Sequence, residues 1–97
     1  MIAPVQSNPA PPAPPRLQQA IAEVLARLAK EAEGFGVVLC GDPAITARYL
    51  EQLQEIDRHA QCLRELADIM RAARPEVAVE SVRLGDLRGE LERACAA

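Results

Sequence analysis

Apolar residues recur over positions 49–70 in an unbroken four-three spacing: Tyr49, Leu53, Ile56, Ala60, Leu63, Ala67 and Met70. On one helix, three heptads of this kind make a seam that a partner helix must cover. A second stripe, Cys62, Leu66, Ile69 and Ala73, opens on the C-terminal half. That half is therefore apolar on two faces, and a single partner cannot cover it. Asp42 and Pro43 mark the start, because an Asp side chain caps free backbone N–H groups and proline suits the first helical position. Position 45 is Ile, so the reciprocal Glu of a capping box is missing. Pro75 marks the stop. The pattern predicts one helix over 43–74, a rod of about 45 Å.

An earlier helix is predicted over 15–33. Leu17, Ile21, Val24, Leu25, Leu28 and Ala32 share one face, while Glu23, Arg27 and Glu31 follow at i,i+4 on the other. Gly34 reads as the glycine just past the helix end, with Phe35 packing back over the last turn. Val37, Val38, Leu39 and Cys40 then stand between Gly36 and Gly41. This run reads as a buried extended connection, since a lone strand leaves its backbone unpaired unless 77–79 or a second chain joins it. Two of the three nearby glycines precede the apolar run, whereas a nucleotide loop needs them after a strand and opening a helix. After Pro75, Val77 and Val79 alternate like a short strand or linker. Val82, Leu84, Leu87 and Leu91 predict a last helix over 82–95, its start slipping to 86 where Gly85 and Gly89 weaken the first turns.

The expected fold class is all-α: a small helical bundle, made of a helical hairpin with one long central helix plus a short C-terminal helix. Residues 16–97 form one domain in this reading. Residues 1–15 hold six prolines, which remove backbone donors and favour extended chain, so they read as a disordered tail. Pro11, Pro14 and Arg16 give a weak PxxP spacing there, read as a spacer rather than a ligand.

Composition narrows the class. With Phe35 and Tyr49 the only aromatics and 18 alanines in 97 residues, the core must be small aliphatic side chains. A domain of this size buries only about 60% of its unfolded surface, and a second chain would add to that. The net charge is −3 and no basic block occurs, which argues against nucleic acid. Ten arginines against one lysine, with so much alanine, point to a GC-rich, bacterial source. Cys40, Cys62 and Cys95 cannot pair completely and sit among apolar residues, which fits a reducing cytoplasm. No stretch is long enough to span a membrane, and the N-terminus lacks the charge and apolar run of a secretory signal.

His59 is the only histidine. It lies one turn before Cys62, with Glu55 at i−4 able to orient its ring. A phosphotransfer histidine is usually followed by a lysine and a small residue, and here Ala60, Gln61, Cys62 and Leu63 follow. His59 and Cys62 are half of a zinc site, which needs two further ligands or one and water, and nothing local brings up Cys40 or Cys95. No Ser-His-Asp or Cys-His-Asn set can be assembled. The run Leu53-Gln54-Glu55-Ile56-Asp57, with Leu63 and Leu66, is similar to the first helix of the small helical chorismate mutases. The resemblance covers about 15 residues. It would imply arginines and a lysine that read an anionic substrate, but Gln54 stands where an arginine is expected, the lone lysine is Lys30, and the second aspartate of the motif is missing. No family assignment follows.

The expected function is that of a small bacterial interaction module, a self-associating regulatory or adaptor protein without catalytic activity, cofactor or metal. Its expected partners are a second copy of itself, as a homodimer, and a further protein. The expected interaction face is Tyr49, Leu53, Ile56, Leu63, Leu66, Ile69 and Met70. The alternative is a phosphotransfer or metal-binding helical protein that uses His59. The tail offers almost nothing to bury, so deleting residues 1–15 is expected to leave the melting temperature within a few degrees. Loss of cooperative unfolding in that deletion, followed by circular dichroism, would overturn the reading.

Overall fold

The structure is a computed structural model that describes residues 15–96. The proline-rich tail, apart from Pro15, lies outside them. The described residues form five α-helices and one 3-10 turn, with no strand among them. The fold is all-α.

Helix α1 spans Arg16–Cys40. Pro15 stands just before it, and its carbonyl accepts the N–H of Gln19 at 3.1 Å. The helix does not end at Gly34 as the sequence pattern predicts. It runs on through Gly34 and Gly36, and the expected extended stretch at 36–41 is helical up to Cys40. A glycine inside a helix costs about 1 kcal/mol, and packing offsets that cost at Gly36. It is buried, and a Cβ placed on it would meet Ile56 Cγ2 at 3.5 Å. Once helical, four consecutive apolar residues point to all sides. Val37 and Val38 are accordingly 73% and 74% exposed rather than buried.

Gly41 and Asp42 make the turn, donating their N–H groups to the carbonyls of Val38 and Leu39, each at 3.2 Å. Asp42 then caps α2, Pro43–Arg48, accepting the N–H of Ala44 at 2.9 Å. The Asp-Pro start signal is thus used as read. The Thr46 hydroxyl donates to the carbonyls of Asp42 at 3.1 Å and Cys40 at 3.3 Å, which ties α2 to the turn. At Tyr49 (φ −121°, ψ 32°) the chain bends, and α3 runs Leu50–Arg71. The expected single rod over 43–74 is therefore two helices. No proline or glycine makes this bend. Side-chain bonds back to the backbone hold α2, while packing on α1 directs α3, and one straight helix cannot satisfy both.

Ala72 leaves α3 in extended conformation. Pro75 does more than stop a helix: it opens α4, Pro75–Ala78, in the first-turn position that proline favours. A 3-10 turn follows over Val79–Ser81, so Val77 and Val79 are helical rather than strand-like. The last helix, α5, is Gly85–Ala96, starting inside the window that the glycines leave open.

Helix α1 packs along α3. The ion pair of Glu33 with Arg64 and the approach of Gly36 to Ile56 set an antiparallel register. Ala22, Ala29 and Gly36 are buried on α1, and Leu53, Ala60 and Ala67 on α3. Each set repeats every seven residues. Small side chains along the α1 side bring helix axes toward the short end of the usual separation of about 8–10 Å.

The other side of α3 is covered by the chain's own C-terminal segment. Ile69 packs with Val79 and Val82, and Ala78, Leu87 and Leu91 close over them. Glu65 is the only buried charged residue among those described. Its carboxylate accepts the backbone N–H of Arg83 and the side-chain amide of Gln61, both at 3.1 Å. That pair of bonds fastens the segment before α5 onto α3. Losing the acceptor would strand a part-buried N–H, at a cost of about 1–3 kcal/mol.

The seam makes two opposite expectations for urea unfolding. Ala29→Leu forces bulk into the close approach and is expected to destabilise by about 1–3 kcal/mol. Gly36→Ala adds a methyl group with room for it and removes a flexible residue from a helix interior, so it is expected to stabilise by about 0.5–1 kcal/mol. A neutral Ala29→Leu would show that the helices are not closely packed there.

Candidate functional site

The residues of the expected interaction face lie at different depths. Leu53 is buried in the α1–α3 seam, and Ile69 is buried under Val79 and Val82. Ile56, Leu63, Leu66 and Met70 are half-buried. Tyr49 is exposed at the bend, with the Arg48 guanidinium 5.7 Å from its ring centre. The four-three seam on α3 therefore meets α1 of the same chain, and the Ile69 stripe meets the C-terminal segment.

The apolar surface left over lies on α1. Leu17, Ile21, Val24, Leu28, Phe35 and Val38 are between 37% and 74% exposed. Their spacing is four-three throughout, with Glu31 filling the one polar position. The sequence pattern puts Leu17, Ile21, Val24 and Leu28 on one apolar face together with Leu25 and Ala32. The buried residues are instead the small ones directly after them: Ala22 after Ile21, Ala29 after Leu28, Gly36 after Phe35. One residue is a turn of about 100° on a helix, so each large–small pair splits between an outer stripe and the inner seam. That signal was present in the sequence as a large–small pair recurring every seven residues. It becomes readable only when Ala60 and Ala67, also seven apart, are recognised as the small residues facing it.

A second candidate surrounds His59. His59 is exposed on α3 and shares an open groove of about 670 Å³ with Glu55, Arg58, Cys62, Asp86 and Arg93. Helix α5 forms the facing wall, and Arg58 pairs with Asp86 across it. The lining mixes acids and bases, so it presents no single sign of charge to a ligand. Burial pushes the Cys62 thiol up from its ordinary value, Glu90 and Glu65 push it further, and Arg58 partly opposes them. A thiol so shifted holds its proton and is a poor nucleophile. No group of three or more His, Cys, Asp or Glu side chains among the described residues is placed to hold a metal ion. Cys40 and Cys95 are exposed and lie outside this groove.

The chain is an all-α protein with a hairpin core, and no helix among the described residues is long and apolar enough to cross a membrane. No protein-family model matches the chain, and no curated protein or solved structure is significantly similar to it.

The Cys62 shift has a definite sign. A raised folded-state value means the folded chain keeps the proton where the unfolded chain has lost it. The associated stability is full below the ordinary thiol value and is lost as pH rises through the folded one. At pH 8, iodoacetamide is therefore expected to modify Cys40 and Cys95 well before Cys62, as resolved by peptide mass spectrometry. Equal rates at all three thiols would contradict the burial of Cys62.

Proposed function

We propose that this chain is a small helical interaction module, a self-associating regulatory or adaptor protein that works by contact rather than by catalysis. One observation carries the reading: the exposed four-three apolar stripe on α1. Among the described residues, ten large apolar side chains are exposed, against eight buried apolar residues of which four are alanine. That balance leaves the single chain with a thin core and an uncovered face. The stripe alone amounts to about three fully exposed large side chains. Covering each equivalent is worth about 1.5–3 kcal/mol, a large share of the total stability of a small domain. Singly exposed apolar residues are ordinary, but a contiguous row marks a contact surface.

The competing reading gives His59 a phosphoryl group or a metal. Its support is the exposure of His59 and the presence of Glu55 in the same groove. Against it stand the lack of a lysine beside the histidine and the lack of further ligands near Cys62.

The double substitution Val24→Glu with Leu28→Glu separates the two. Both positions are exposed in the single chain, and glutamate is a good helix former. The variant is expected to keep its helical circular dichroism while light scattering shows association lost. A wild-type chain that scatters as a monomer at every concentration, or that carries acid-labile phosphate or stoichiometric zinc on purification, would turn the assignment toward His59.

A further inference from the structure

The apolar stripe on α1 has a length, a direction and one polar interruption, and these constrain what can cover it. From Leu17 to Val38 it runs for about 32 Å. An occupant must offer a helix of that length with its own free apolar row. Within the chain, α3 is covered on both faces, and α5 has 12 residues, about 18 Å. Its Leu87 and Leu91 already close over the Ile69 cluster. The remaining described element of sufficient length with an uncovered face is α1 itself.

We propose that two copies of this chain pair through α1, antiparallel about a two-fold axis near Ala26, so that two hairpins form a four-helix assembly. This rests on the self-association reading above and specifies its geometry. A two-fold contact uses the same patch twice and so needs a self-complementary row. The α1 row has this property in one direction. With residue numbers on the two helices adding to 52, Leu17 lies against the second copy's Phe35, and Val24 against its Leu28. The same contacts repeat on the far side of the axis. The stripe is then covered from Leu17 to Phe35, and Val38 extends beyond the paired length. Glu31 lies opposite Ile21, between the central and outer layers, and the two Glu31 carboxylates stand about 15 Å apart along the axis.

Parallel pairing uses the same row but stacks Glu31 on Glu31 in one layer. Two like charges would then be drawn together and partly out of water. It also sets Phe35 on Phe35 and Leu17 on Leu17 in place of the large-against-medium match. The antiparallel arrangement avoids both.

The area available fits such a dimer. The paired parts of the two stripes, Leu17 to Phe35, together amount to about five fully exposed large side chains, with the aliphatic stems of Arg27 and Glu31 beside them. A contact of this kind is at or somewhat below the standard size for specific pairs, about 800 Å² on each side. Association at micromolar chain concentration is the expectation.

The test is cross-linking between mixed chains in a Cys40→Ala, Cys95→Ala background, one chain carrying Leu17→Cys and the other Phe35→Cys, with tags of different mass. Light scattering on each chain and on the mixture runs alongside. The expected result is a dimer mass, with the mixed link several-fold more abundant than either like link. A dimer mass with the two like links dominant overturns the antiparallel geometry and leaves self-association standing. A dimer mass with no link at either position moves the contact off α1 and overturns the proposal. A monomer mass throughout, repeated with unsubstituted protein, sinks the self-association reading itself and leaves the stripe to residues 1–14 or to a different protein. In a chain that keeps its native Cys40, that thiol supplies an independent check. The antiparallel pair holds the two Cys40 residues about 42 Å apart, so a Cys95→Ala chain is expected to stay unlinked under mild oxidation, and ready disulfide formation would count for the parallel pair.

Discussion

The close approach of α1 to α3 decides most of what else the chain does. Ala22, Ala29 and Gly36 line the α1 side of that seam and Leu53, Ala60 and Ala67 the α3 side. Close packing gives many weak contacts between backbones and methyl groups, but it removes little side-chain surface from water. No large side chain is fully buried among the described residues. The large apolar residues of α1 must then lie beside the seam, and geometry puts them one step around the helix, in solvent. The thin core and the bare stripe follow from the same choice of small residues.

The same constraint explains which parts of the fold can be read from the sequence. The α3 seam is legible because a four-three spacing over three heptads has few other meanings, and the structure packs α1 along it. The Asp42-Pro43 start is legible because a cap is local chemistry, and Asp42 does bond the N–H of Ala44. Gly34 and Gly36 mislead for a physical reason. Glycine ends helices through its backbone freedom, but Gly36 lies inside α1, buried on the face that meets Ile56. Local propensity cannot tell those two uses apart, since the second depends on a helix some twenty residues away. The bend at Tyr49 is equally non-local: two well-formed helical segments answer to different neighbours. Val77 and Val79 alternate as a strand would, yet they sit in single helical turns, too short for periodicity to register.

The candidate site is legible only in part. That this chain carries an excess of apolar surface is visible in the doubled stripe on residues 62–73. Its location is not, because the segment after Pro75 returns across Ile69 and is held there by Glu65 and Arg83. A single buried carboxylate that accepts a backbone N–H leaves no mark in sequence pattern. The His59 groove likewise comes from α5 folding back to set Asp86 against Arg58, and its mixed charges are a property of two elements together.

The separation of small and large residues on α1 has a consequence for how such a protein changes over generations. The seam positions are intolerant: almost any codon change at Ala29 or Ala60 adds volume where there is none to spare. The neighbouring positions 21, 24, 28 and 35 carry little of the hairpin's own packing, so they can drift without unfolding it. A lineage can therefore keep one scaffold while altering what the outer row recognises, one position at a time. Duplicated copies of such a chain would be free to part company in their choice of mate while remaining superimposable in fold.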